Sequence, residues 1–136
     1  MSQTTKLLLG FAQPSFLDVF RQLFESHGYD VIVATNGLSC VHALHEACPE
    51  VLVVDTDILW GGVDGVLAVM QDDEKLAEIP VVVTGERVRN SKKDESSIIA
   101  RLERPFRLPA LVAAVKRASR AAQRRQTTWR IQSSRI

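Results

Sequence analysis

The sequence predicts one α/β domain in which helices cover both faces of a parallel sheet, and three observations carry the prediction. Segments rich in aliphatic and β-branched residues alternate with segments whose apolar residues recur at helical spacing, in the order β-α-β-α-β-α-β-(α)-β-α. Two of the strand segments, Val51-Leu52-Val53-Val54 and Val81-Val82-Val83, are continuously apolar rather than alternating. A strand reads that way when both of its faces are covered, which is the condition of parallel sheets. Finally, 136 residues with 46% apolar and 24% charged content suit a single domain with its own core. Strand–helix alternation of this kind closes by right-handed crossovers.

Each element has a local reason. Strand one covers residues 6–11, and Pro14 then opens the first helix, because a missing amide hydrogen costs nothing in a first turn. Phe16, Phe20, Leu23 and Phe24 follow at helical spacing, and Gly28 is the C-terminal stop. Strand two covers residues 29–34. The second helix spans 38–47 with Val41 and Leu44 inward, and Pro49 ends it. Strand three is 51–55, a short third helix covers 66–72, and strand four is 80–84. Residues 87–99 contain Asn90-Ser91-Lys92-Lys93-Asp94-Glu95-Ser96-Ser97 and read as a flexible connection or a frayed helix. Strand five is 100–103. A last helix over 108–126 has Leu111, Val112 and Val115 on one face and arginines on the other. The domain is expected to span 5–123, with a basic tail at 124–136 whose residues 127–136 lack periodicity.

Composition narrows the function classes. The formal net charge is only +1, yet residues 1–86 hold 3 basic and 13 acidic side chains, and residues 87–136 hold 14 basic and 3 acidic. Such a dipole points to partners even when the total does not. The cations between Lys116 and Arg135 have no acid among them, which raises nucleic-acid binding. There is no recognition-helix motif and no aromatic stacking set, so an acidic protein partner, or the acidic half of a second copy, fits better. A solvated helix face is the plain alternative. No uncharged apolar run approaches the roughly 18 residues of a membrane span, and the apolar stretch after Lys6 is short for a signal peptide. The expected location is cytoplasmic, with no membrane partner.

Cys40 and Cys48 stand in one helix about 12 Å apart at ~1.5 Å of rise per residue, too far to pair, and both read as small buried hydrophobes. His42, His45 and Cys48 drift around that helix without a fourth ligand, so no metal site is expected there. His27 reads as a favourable interaction with a helix end.

In open α/β sheets, ligands sit beyond the carboxyl ends of the strands. Those ends deliver Ala12 and Gln13, Asp55 and then Asp57, Thr84, and Arg104-Pro105-Phe106. A carboxylate, a hydroxyl and a cation converging there form a phosphoryl site. The carboxylate would be the nucleophile, and the other two would hold phosphoryl oxygens.

With these residues in this order, the chain resembles the receiver domain of two-component response regulators over residues 6–118. The resemblance rests on Pro49-Glu50-Val51-Leu52-Val53-Val54-Asp55, on Val63-Asp64-Gly65, on Pro80 to Thr84, and on Arg104-Pro105-Phe106. It implies a flavodoxin-like (βα)5 sandwich of strand order 2-1-3-4-5, a phosphorelay role, and signalling by protein contact rather than enzymatic turnover. Carried over by position, Asp55 matches the phospho-acceptor and Thr84 the hydroxyl that follows the phosphoryl group. Arg104 stands where receivers place a lysine, before a proline whose peptide bond is commonly cis. The loop from Asp55 to Asp64-Gly65 is two residues longer than usual, and counting back from Asp64 nominates Asp57 as acceptor instead. Asp55 is preferred because it ends the apolar run at the expected distance from Pro49. Asp57 and Glu86 fall where receivers tune phosphoryl lifetime, or are solvated loop acids.

Three departures from the family pattern change the expected function. The acidic pair that holds Mg²⁺ at the end of strand one is replaced by Ala12-Gln13, leaving few carboxylates for a hard cation. Lysine has become Arg104, a permanent fork-shaped charge. The aromatic switch position is Arg101. Together they predict weak or absent Mg²⁺ binding and no other cofactor, with Asp55 held by Arg104 as a standing ion pair. The domain would then sit in one signalling state and bind its partner without regulated phosphorylation. That partner is expected to be an acidic protein or a histidine kinase. A second copy docked on the basic face from strand four to the last helix is the other candidate.

Nothing after residue 118 reads as a second domain, so a stand-alone protein is expected. A working acceptor relaying phosphoryl groups through Asp55 is the first alternative. The second is a small flavodoxin-like nucleotide- or flavin-binding protein. Against it, Ala12-Gln13-Pro14-Ser15 stands where a glycine-rich phosphate loop would lie. In the lengthened loop, Trp60-Gly61-Gly62 lets the tryptophan fold over its own loop, cover the site or anchor a partner.

Overall fold

The structure is a computed structural model that describes residues 4–86 and 97–133, with side chains described through residue 124. Five strands form one parallel sheet: β1 (Lys6–Gly10), β2 (Asp30–Ala34), β3 (Val51–Asp55), β4 (Val81–Gly85) and β5 (Ile98–Glu103). Their order is β2-β1-β3-β4-β5, as expected. Among the described residues there are four helices, α1 (Pro14–Ser26), α2 (Gly37–Ala47), α3 (Gly62–Gln71) and α4 (Leu108–Ser133). The frayed-helix expectation for residues 87–99 falls on residues 87–96, which lie outside the described residues, and on the start of β5.

The continuous apolar runs are explained by the two-residue period of a strand. Leu52, Val54, Val81 and Val83 point to a core shared with Cys40, Leu44, Val66 and Met70 of α2 and α3. Leu7, Leu9, Val51, Val53 and Val82 point the other way, to Leu17, Phe20 and Phe24 of α1 and to Leu111 and Val115 of α4. Each such side chain contributes about 1.5–3 kcal/mol by leaving water, so the three central strands hold both layers in place. Because all four strand pairings are parallel, every strand's carboxyl end lies on the same rim.

Helix boundaries differ from expectation where backbone chemistry outweighs the apolar pattern. The third helix starts at Gly62, four residues before the expected Val66, with Gly61 at its N-cap in the left-handed region (φ 86°) and Asp64 in its first turn. That carboxylate sits well against the positive end of the helix. The last helix runs on to Ser133, past the expected end at 126, with no proline or glycine from Ala110 onward to stop it. The second helix begins with a capping box, Asn36 Oδ1 accepting from the Ser39 amide at 2.8 Å and Ser39 Oγ accepting from the Asn36 amide at 3.2 Å. Cys48 is not buried as expected. It takes the C-cap of α2 at φ 46° and is exposed, whereas Cys40 is fully buried and both are free thiols. Among the described residues no helix is long and apolar enough to cross a membrane.

Candidate functional site

The register of β3 against β4 builds the centre of the site. Asp55 pairs with Thr84 at the carboxyl ends of two neighbouring strands. Both are buried, Asp55 with 2% of its surface exposed, and the Thr84 hydroxyl donates to Asp55 Oδ1 at 2.8 Å. The other carboxylate oxygen, Oδ2, accepts the Asp57 amide at 3.1 Å.

The end of β5 supplies the cation. The Arg104 amide donates to the Gly85 carbonyl at 2.9 Å, fixing the residue beside β4, and the Arg104–Pro105 peptide bond is cis. Its guanidinium lies 5.5 Å from the centre of the Phe16 ring. From there it forks. One terminal nitrogen donates to Asp55 Oδ1 at 3.0 Å and the other to Asp57 Oδ2 at 2.6 Å. A planar guanidinium presents such a fork preorganised, whereas a lysine ammonium is a point charge on a flexible stem.

The electrostatics of Asp55 is a contest. Burial pushes its carboxyl above the ordinary carboxylate value, and the Asp57 carboxylate pushes in the same direction. The Thr84 hydroxyl, the Asp57 amide and the Arg104 guanidinium pull it back without cancelling the rise. Arg104 is therefore the countercharge that a buried acid requires.

The remaining sequence candidates lie around this centre. Ala12 and Gln13 occupy the turn from β1 to α1, where Gln13 is the N-cap of α1 but makes no side-chain cap bond. Arg101 is exposed on β5 in register with Val83 and does not join the cluster. Glu86 follows β4, and its carbonyl accepts from the Thr56 hydroxyl at 3.3 Å. Trp60 does not fold over its loop: it is 69% exposed, with φ 65°. The loop is instead fixed by its backbone, because the Gly37 amide donates to the Leu59 carbonyl at 2.7 Å.

The residues do not fit a bound Mg²⁺. A hard cation needs several carboxylate or carbonyl oxygens. Here Asp55 Oδ1 and Asp57 Oδ2 are taken by a guanidinium, Asp55 Oδ2 by an amide, and the β1 end adds no acid. Among the described residues no group of three or more His, Cys, Asp or Glu side chains could hold a metal ion.

Sequence reasoning missed Phe16 as a support for Arg104, since its spacing marks it only as core. It also missed Asp57 as the second arm of the fork, which follows from side-chain reach rather than from any motif.

A parallel 2-1-3-4-5 sheet with an aspartate, a hydroxyl and a cation on its carboxyl rim has the architecture of receiver domains. The comparisons with known proteins agree. The sequence matches no protein-family model. It is similar to the polar-differentiation response regulator DivK of Brucella anthropi, 25% identical over 103 residues that cover 74% of this chain and 84% of that protein. The chemotaxis response regulator CheY4 of Vibrio cholerae superposes with a TM-score of 0.76 at 17% identity, covering 85% of this chain and 99% of that one. The receiver domain of a Pseudomonas aeruginosa sensor histidine kinase, with magnesium coordinated in its cleft, superposes at 0.75 and 15% identity, covering 86% and 98%. The chain has the fold of response-regulator receiver domains.

Proposed function

We propose that this domain serves two-component signalling as a receiver held in one state. It acts through protein contact, with Mg²⁺-dependent phosphorylation of Asp55 impaired. The single observation that supports the reading is Arg104 forked across Asp55 and Asp57. Phosphoryl transfer to Asp55 needs a free carboxylate oxygen as nucleophile and a cation to neutralise the transferred group. In this protein the cation is a fixed guanidinium already bonded to that carboxylate, and Ala12 and Gln13 add nothing to seat a metal.

The buried Thr84–Asp55 contact favours a second reading, in which Asp55 remains a working acceptor. One measurement separates the two. The protein is incubated with acetyl phosphate and Mg²⁺ and its intact mass recorded. A held receiver stays unmodified, whereas Ala12→Asp/Gln13→Asp/Arg104→Lys gains a phosphoryl adduct. A stoichiometric adduct on the unaltered protein, lost in Asp55→Ala, would overturn the proposal in favour of the second reading.

The partner, on this reading, is an acidic protein surface, a histidine kinase or a second copy, met by the positive face toward α4. Its binding weakens as salt rises, because exposed charges are screened beyond about 8 Å at physiological ionic strength. Affinity that does not change between low and high salt would remove electrostatics from partner choice.

A further inference from the structure

The opposite end of the sheet carries a cavity that the Asp55 site does not use. It lies at the amino ends of β1 and β2, a strand length of about 16 Å from the carboxyl rim. The cavity is about 400 Å³, and its walls include Thr5, His27, Tyr29, Lys116, Ser119 and Arg120. That volume falls in the range of small-molecule sites. No carboxylate lines it. Lys116 and Arg120 stand one turn apart on α4, and among the described residues neither has an ion-pair partner.

The C-terminus of α1 faces this cavity, and its negative end would ordinarily answer those cations. Here it is consumed locally. The Leu23 carbonyl accepts from Ser26 Oγ at 2.6 Å and from His27 Nδ1 at 2.9 Å. The Phe24 carbonyl accepts the amides of His27 and Tyr29, and the Glu25 carbonyl accepts that of Gly28. The two cations are thus left for an outside anion. In the wall, Ser119 Oγ donates to the Val115 carbonyl at 2.8 Å and so accepts from the Tyr29 hydroxyl at 3.0 Å. The Tyr29 oxygen keeps a lone pair, which suits the O–H of a singly protonated phosphate and offers nothing to a fully ionised carboxylate.

A second, apolar groove of about 400 Å³ runs between α1 and α4 and shares His27 and Lys116 with the cavity. Leu23, Leu108, Val112 and Ala113 line it, and Leu108 is 43% exposed. The two spaces therefore join a cationic end to a hydrocarbon channel.

We propose that this end of the domain binds a small alkyl phosphate monoester, the phosphate between Lys116 and Arg120 and the chain along the α1–α4 groove. The test uses the full chain and octyl phosphate, with inorganic phosphate and octanol as comparators, followed by calorimetry and by amide shifts in ¹⁵N NMR spectra. Octyl phosphate should bind at least tenfold more tightly than either comparator and move the amides of Gly28, Tyr29 and Ser119 but not that of Asp55. Lys116→Glu/Arg120→Glu, at exposed positions, should cost at least tenfold with unchanged melting temperature. Val112→Glu should abolish the advantage over inorganic phosphate. Equal affinity for octyl and inorganic phosphate, binding that survives the double variant, or shifts centred on Asp55 would each overturn the proposal. So would chain binding to phosphatidic acid–phosphatidylcholine vesicles without any binding of octyl phosphate, since the surface would then be a membrane contact.

Discussion

Truncating Arg104 to alanine should destabilise the domain by about 2–3 kcal/mol at pH 8, and by less at an acid pH where Asp55 is protonated in both proteins. The guanidinium sits 3.0 Å from Asp55 Oδ1. At an effective dielectric of about 20 that spacing corresponds to a gross attraction of about 5–6 kcal/mol. Dehydration of the guanidinium, 21% exposed, offsets a large part of it. The second arm reaches Asp57, which is 56% exposed, and adds about 0.5 kcal/mol. The Phe16 contact adds about 0.5–1 kcal/mol.

The pH dependence of this loss follows from Asp55. Its folded-state pKa is raised by burial, so the fold is favoured while the group is protonated and loses that advantage as pH rises through the folded value. Removing Arg104 raises the folded value further, because the guanidinium is one of the groups pulling it down. The gap between protein and variant therefore opens with rising pH and nearly closes where both hold Asp55 neutral. Urea unfolding followed by circular dichroism at the two pH values measures it, and about 8–12 °C in melting temperature should accompany the loss at pH 8. A loss below about 0.5 kcal/mol at pH 8, or an equal loss at both pH values, would refute Arg104 as the countercharge of a buried acid.

Three further outcomes test the surrounding structure. Gly37→Ala should destabilise by about 2 kcal/mol or more, because a Cβ there meets the carbonyl oxygens of Trp60 and Leu59, which are backbone and cannot swing aside; thermal melting checks it. A thiol reagent should modify Cys48 at once and Cys40 only on unfolding, since burial pushes the Cys40 thiol up to about 12 while Cys48 is exposed; one fast equivalent and one slow are expected. Gln13→Asp should stabilise by about 0.5–1 kcal/mol, because it gives α1 the side-chain cap that Gln13 does not provide; urea midpoints at pH 7 read the gain.

The sheet was legible because its evidence is local and redundant. Val51 to Val54 and Val81 to Val83 call for cover on both faces, and their alternation with helical segments turns that into a parallel core. The meeting of Asp55 with Thr84 was legible too, since residues ending adjacent parallel strands at matched register must lie side by side. What the sequence hid were features set by side-chain reach and backbone conformation. Asp57 looked like an alternative acceptor, yet its carboxylate is the second anchor of Arg104. Phe16 looked like core, yet its ring also faces the guanidinium. On sequence alone Trp60 could fold over its loop, cover the site or anchor a partner, but three successive residues of positive φ, Trp60 to Gly62, turn the chain so that its indole stays outside. Apolar periodicity carries no information about such turns, so the start of α3 was misplaced for the same reason.

The fork also explains why no single substitution should create a metal site at this rim. A divalent cation entering between Asp55 and Asp57 must displace two charge-assisted hydrogen bonds, at 3.0 and 2.6 Å. At about 1.5–3 kcal/mol for the buried arm and about 0.5 kcal/mol for the exposed one, they weaken its binding by roughly 30- to 400-fold. Adding acids at Ala12 and Gln13 alone leaves Arg104 in place as a competitor, now with more carboxylates to grip. Changing Arg104 to lysine alone frees the oxygens but supplies too few to seat the ion. The three positions should therefore be strongly non-additive, with Mg²⁺ affinity in the triple variant exceeding the product of the separate gains. If the separate gains simply multiply, then Arg104 does not compete with the metal, and the absence of carboxylates at positions 12 and 13 is a sufficient cause on its own.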